Sequence, residues 1–259
     1  MNSSKVQFLN SDGLELTARL ELPAHGKPSA YALFAHCFTC SKDLNAVINV
    51  SRTLSLSNIA VLRFDFTGLG ESEGEFEDTN FSSNVGDLIA AADFLRREFE
   101  APSLLIGHSL GGAAVLAAAG KIPEVQAIAT INSPADPSHV EHLFKDQVDE
   151  IRSKGSAVVS IGGRPFSLSH QFLADIQEAG MERLVGNLDR ALLIIHSPQD
   201  QIVEVDNARI TYERAKHPKS FISLDGADHL LSHKADSQYA AQMIATWAGR
   251  YIDPVSYTH

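Results

Sequence analysis

Strand-length apolar runs alternate with helix-length amphipathic segments over most of this chain, and that alternation leaves few folds open. Strands are expected at 30–35, 60–64, 103–107, 127–131, 191–196 and 220–224, each rich in Val, Ile, Leu or Phe and closed by polar or turn residues. Helices are expected between them at 43–56, 81–98, 110–119, 205–216 and 234–251. Strands without a polar face are buried on both sides, so the pattern calls for an α/β fold: a mostly parallel sheet of about eight strands with helices on both faces. The segments 5–9 and 14–22, joined by Ser11-Asp12-Gly13, read as an antiparallel hairpin on the sheet edge. At 259 residues the chain is near the upper size for one hydrophobic core, so a single domain spanning 1–259 is expected. The alternation breaks between Pro134 and about Leu188, where a far shorter crossover would serve, and residues 134–188 are expected to form a cap insertion. Within it, 157–161 and 165–169 flank Gly162-Gly163-Arg164 as a small hairpin, followed by a helix at 168–179.

Charge and composition narrow the function classes. The 21 Lys and Arg against 32 Asp and Glu give a net charge of −11, which repels phosphate backbones and anionic lipid surfaces, so no nucleic acid or membrane partner is expected. Residues 101–120 carry no acidic or basic side chain, but Pro102, His108, Ser109 and several glycines fit a buried strand turning into a buried helix rather than a membrane span. The first sixteen residues lack the apolar core of a secretory signal. Two cysteines, Cys37 and Cys40, are too few and too close to staple a secreted scaffold, and a cytoplasmic location follows as the expectation.

The strongest chemical signal is Gly107-His108-Ser109-Leu110-Gly111-Gly112, set between the apolar strand and an alanine-rich helix. A sharp strand-to-helix turn brings neighbouring chain close to the serine, so the positions two before and two after it must lack bulk, as Gly107 and Gly111 do. The helix amino end then aims bare N–H groups at the surroundings of the serine oxygen. The alternative for this five-residue pattern is a glycine-rich helix start packed tightly on a sheet.

With that turn in place the whole chain resembles the α/β-hydrolase superfamily, whose serine, acid and histidine occur in the chain order met here by Ser109, Asp200 and His229. The resemblance implies that Ser109 is the nucleophile, His229 its base, and Asp200 the acid that orients the imidazole. His229 lies in Asp225-Gly226-Ala227-Asp228-His229, just past the last core strand; Asp200 lies in His196-Ser197-Pro198-Gln199-Asp200, where Ser197 replaces the family's usual glycine. Asp136, after the preceding core strand, is the runner-up acid, and Asp228 is less suited because it adjoins His229. In the family the loop after the strand at 30–35 helps to bind the oxyanion, which assigns the backbone N–H groups of Phe38 and Leu110 to that role. Cys37 stands where that loop usually has glycine, and Cys37 with Cys40 admits three readings: small buried filler, a redox-sensitive pair, or a metal site.

A narrower resemblance rests on His36-Cys37-Phe38-Thr39-Cys40-Ser41-Lys42-Asp43 and on Arg63-Phe64-Asp65-Phe66-Thr67-Gly68-Leu69-Gly70-Glu71-Ser72. Both resemble the hydrolase half of bacterial proteins that join an α/β-hydrolase to an OsmC-like peroxide-reducing domain, which implies an OsmC-like domain or partner outside this chain. Asp65 and its glycines are read as fixing a tight turn rather than doing chemistry. The expected activity is that of a serine hydrolase on small-molecule carboxylic esters with small to medium acyl chains, working through an acyl-enzyme with no metal and no organic cofactor. Acyl transfer, thioester or peracid chemistry on the same three residues, and a non-catalytic binding module serving a redox partner, are the alternatives.

Overall fold

The computed structural model describes residues 2–252. Its elements follow the expected alternation: β1 (Asn2–Leu9), β2 (Glu15–Leu22), β3 (Ala30–Ala35), α1 (Asn45–Leu56), β4 (Ile59–Phe64), α2 (Phe81–Glu98), β5 (Leu104–His108), α3 (Leu110–Ala118) and β6 (Ala127–Ile131). After β6 come α4 (Val148–Lys154), β7 (Ser156–Ile161), β8 (Arg164–Ser169), α5 (His170–Gln177) and α6 (Met181–Gly186). The chain then continues through β9 (Ala191–His196), α7 (Asp206–Arg214), β10 (Lys219–Ser223) and α8 (Lys234–Ile252).

Eight strands form the central sheet in the order β1-β2-β4-β3-β5-β6-β9-β10. The hairpin β1-β2 is antiparallel and β2 joins β4 antiparallel, whereas every pairing from β4 to β10 is parallel. Alternation of side chains along each strand divides the core in two. In β3, Leu33 and Ala35 face one layer with α2 and α3, while Ala32 and Phe34 face the other with α1 and α8. All residues of β3, β4, β5, β6 and β9 are buried, as expected of a parallel sheet covered on both faces.

The segment between β6 and β9 is richer in structure than its sequence pattern indicates. It opens with a 3-10 stretch, Pro137–Gln147, broken at Phe144 by non-helical dihedrals, and its short helices α4 and α6 carry too few turns to show a period of their own. The expected hairpin is present as β7-β8, paired antiparallel from Ser156↔Ser169 to Ile161↔Arg164, and the expected helix at 168–179 is shortened to α5 because Ser169 caps it by accepting from the Phe172 N–H. Val140, Phe144, Ile151, Phe172 and Ile176 join the α2/α3 layer of the core, so the segment is packed down on the sheet by apolar contact.

Candidate active site

Strand β5 ends one residue before Ser109, and α3 starts one residue after it. The turn between them holds Ser109 at φ 55°, a left-handed conformation in which a non-glycine residue is strained. The turn is possible only because its neighbours lack side chains: a Cβ on Gly107 would lie 2.3 Å from the Gly111 carbonyl oxygen, and one on Gly111 would lie 2.4 Å from the carbonyl oxygens of Ala35 and His36. The Ser109 N–H donates to the Ile131 carbonyl (2.9 Å), tying the bend to β6.

Two further loops at the same end of the sheet converge on this turn. The loop after β9 brings in Asp200, and the loop between β10 and α8 brings in His229. His229 Nε2 lies 3.0 Å from Ser109 Oγ, and His229 Nδ1 lies 2.7 Å from Asp200 Oδ2. The Asp200 side chain is fully buried, and its other oxygen accepts from the N–H groups of Ile202 (2.8 Å) and Val203 (3.0 Å). Burial pushes the Asp200 carboxyl up, but the His229 bond and the two backbone donors outweigh it and hold the group below its ordinary value. An ionised carboxylate only accepts, so His229 carries its proton on Nδ1 and presents a bare Nε2 to the serine hydroxyl.

A second set of bonds fixes the backbone of His229. His108 Nε2 donates to the His229 carbonyl (2.7 Å), and the Asn132 amide donates to the same carbonyl (3.1 Å) while its oxygen accepts from the Ser197 N–H (2.9 Å). Ser197 Oγ donates to the Ala227 carbonyl (2.6 Å), so it ties the loop after β9 to the loop between β10 and α8. Burial, reinforced by the nearby His229, pushes His108 down to about 3, which leaves it a neutral donor. Sequence reasoning missed His108 and Asn132 in this role because nothing local links them to a residue about a hundred positions away.

The remaining candidates fall into place by position. Asp136 accepts from the Ser138 N–H and hydroxyl at the start of the 3-10 stretch, acting as a cap. Asp228 turns away and accepts from the Ser232 N–H. Phe38 follows Cys37 in the loop after β3, and Leu110 is the first residue of α3, where helix N–H groups have no intrahelical acceptor. Phe38 and Leu110 line a small recess of about 10 Å³ together. Phe38, Ser109 and His229 line a larger cavity of about 440 Å³ whose walls are mainly apolar, with Val140, Leu143 and Ile161 from the segment between β6 and β9 forming one side.

Cys37 and Cys40 are joined by a disulfide, with the Cys40 N–H closing the turn on the Cys37 carbonyl (3.1 Å). The filler reading of the pair is therefore corrected: the short spacing that argues against a scaffold staple suits a three-residue clamp on one loop. Cysteine usage accordingly gives no argument for a reducing compartment. Asp65 accepts from the Lys42 N–H (2.7 Å), Lys42 Nζ (2.8 Å) and the Glu71 N–H (3.0 Å), and a Cβ on Gly70 would lie 2.2 Å from its carboxylate, so it organises a turn as the sequence indicates. Among the described residues no cluster of three or more His, Cys, Asp or Glu is arranged to hold a metal ion, and no helix is long and apolar enough to cross a membrane.

A family profile described as "Serine aminopeptidase, S33" matches residues 27–154. The solved structure of the esterase domain from a Rhodothermus marinus protein is 50% identical, covers 97% of this chain and 100% of its own, and superposes with a TM-score of 0.81. An uncharacterized protein of Salmonella typhi, YfhR, is 25% identical over 235 residues, 88% of this chain and 75% of its own length. The mitochondrial palmitoyl-protein thioesterase ABHD10 of Homo sapiens is 25% identical over 188 residues, 69% of this chain and 60% of its own.

Proposed function

Since the chain belongs to the α/β-hydrolase superfamily, we propose that it is a serine hydrolase cleaving carboxylic esters of small to medium acyl chain through an acyl-enzyme. The observation that carries this reading is the unbroken hydrogen-bond chain from Asp200 through His229 to Ser109 at the wall of an apolar cavity. Ser109 Oγ attacks the ester carbonyl while its proton passes to His229 Nε2, and the Oγ–C bond forms as the carbonyl oxygen becomes negative. The N–H groups of Phe38 and Leu110 receive that oxyanion. The C–O bond to the alcohol then breaks, the alcohol leaves with the proton from His229, and water activated by the same imidazole releases the acid. Asp200 keeps the ring in the productive tautomer and stabilises the imidazolium. No metal or organic cofactor enters any step.

Residues 134–188 act in this reading as a cap over the acyl site of a single domain. A small-molecule ester as substrate, with an OsmC-like domain or partner on other material, completes the proposal. The likeness to the 50% identical esterase domain from Rhodothermus marinus supports the ester reading. Thioester cleavage by the same three residues is the second reading, favoured by the likeness to a human thioesterase.

The direct test is Ser109→Ala assayed on p-nitrophenyl butyrate. Loss of at least about 10³-fold in kcat is expected. Full turnover by the folded variant would overturn the proposal.

A further inference from the structure

The cavity that reaches Ser109 is mostly apolar, yet one wall carries a guanidinium with no carboxylate partner among the described residues. Arg164 opens β8 at the tip of the β7-β8 hairpin, next to Gly162 and Gly163, and lines the same cavity as Ser109 and His229. It is exposed, and an exposed arginine ordinarily pairs with an acid or points into bulk water. This one is tied instead to a backbone carbonyl and an aromatic face. Its Nη2 donates to the Thr39 carbonyl, in the loop beside Phe38, and its guanidinium carbon stands 5.4 Å from the centre of the Phe166 ring. Phe166 rests in turn on Phe76 (5.1 Å), and Phe76 on Phe38 (5.8 Å), so an aromatic ladder supports the cation from the loop that borders the reacting serine.

The other charged and imidazole side chains of the cavity each have a protein partner. Asp43 is held by Arg63 (2.8 Å) and Lys42 (3.2 Å), cations that also pair with Glu21, Asp65 and Glu71. Ring nitrogens of His139 and His142 lie against the carbonyls of Ile202 and His139. A guanidinium offers five N–H donors in a planar fork, and only one of Arg164's has a partner among the described residues. In a chain of net charge −11, a braced cation with free donors on the wall of the reaction cavity marks a place for an anion of fork-matching shape.

We propose that the substrate is an ester carrying a carboxylate at the end remote from the scissile bond, and that Arg164 binds that carboxylate. The inference rests on the serine-hydrolase reading and adds to it a substrate class. Apolar walls between Ser109 and Arg164 accommodate the methylene chain that separates the two groups, and the guanidinium sets where it must end.

Two substrate series test it on the full chain. The first comprises p-nitrophenyl monoesters of adipic, suberic and sebacic acids, each compared with the same ester whose far carboxyl is capped as a methyl ester. The second comprises O-acetyl esters of ω-hydroxy acids of similar length, free and capped, which place the carboxylate on the leaving alcohol. At one chain length in one series, kcat/KM for the free acid is expected to exceed that of the capped form at least about tenfold. Arg164→Gln is expected to bring that ratio down to about one, Arg164→Lys to retain part of it, and 0.5 M salt to reduce it. If Arg164 only braces the Thr39 loop, both forms lose rate together and the ratio does not move, which would overturn the inference. Turnover of capped and free esters at equal rates in the wild type would overturn it while leaving the esterase reading standing. Turnover of neither series, nor of p-nitrophenyl butyrate, would remove both.

Discussion

Ser109, Asp200 and His229, which the fold brings within hydrogen-bond reach, each sit at a place marked in the sequence: a glycine-flanked turn, the loop after a core strand, and a Gly turn before the last helix. What the sequence does not show is why His229 stays in reach of the serine. Its carbonyl is gripped by His108 and Asn132, and the adjoining loop by Ser197, and all three contacts link residues far apart in the chain. His108 serves this purpose as a neutral donor, which has a consequence for acid stability. Its folded value of about 3 lies below the ordinary 6.5, so the unfolded chain takes up a proton that the folded one refuses. Stability from this group is complete above about pH 6.5 and falls as the pH drops from there toward 3; buried His36 and His196, also pushed down by burial, act in the same sense. Urea denaturation between pH 8 and pH 4 is expected to show this loss, and His108→Gln, whose amide can still donate to the His229 carbonyl, to reduce its slope by up to about 1.4 kcal/mol per pH unit. Equal slopes in the two proteins would show that His108 is not the neutral buried group described.

At the scale of elements, strands β3, β6 and β9 match their expected limits and the others differ by one or a few residues, because buried parallel strands are written as uninterrupted apolar runs. The segment between β6 and β9 was legible as an interruption but not as two short helices and a 3-10 stretch, whose few turns take their stability from packing rather than from local pattern. The loops that hold Lys42 and Asp65 show the same division. Asp65 as a turn organiser could be read from its glycines, but its ion pair with Lys42 joins separate loops and needs the fold to be seen. Lys42 and Asp65 are both almost completely buried, with Arg63 donating to the Lys42 carbonyl (2.6 Å) from below. Such a pair is costly to break singly, because the remaining charge is stranded. Asp65→Asn is expected to destabilise the protein by about 3–5 kcal/mol, read as a lowered midpoint in urea. An unchanged midpoint would mean that the network contributes nothing to holding the loop.

For the whole molecule, the order β1-β2-β4-β3-β5-β6-β9-β10 gathers the ends of β3, β5, β9 and β10 within five neighbouring strands, with β6 between β5 and β9, and the loops that leave them carry Phe38, Ser109, Asp200 and His229. Residues scattered over some 190 positions thereby meet at one edge of one sheet, where ligands of open parallel sheets gather. The class of fold was legible because alternation alone implies a covered parallel sheet; the strand order and the contents of the cavity wall, Arg164 included, were not, since both depend on contacts between distant segments. Labelling with a fluorophosphonate tests most directly whether this convergence makes a working nucleophile, because the probe reacts only with a serine whose proton is being taken. Peptide mass spectrometry of the labelled protein is expected to place a single adduct on Ser109, absent when His229 is replaced by Ala; an unlabelled wild type, or an adduct on any other residue, would contradict the account.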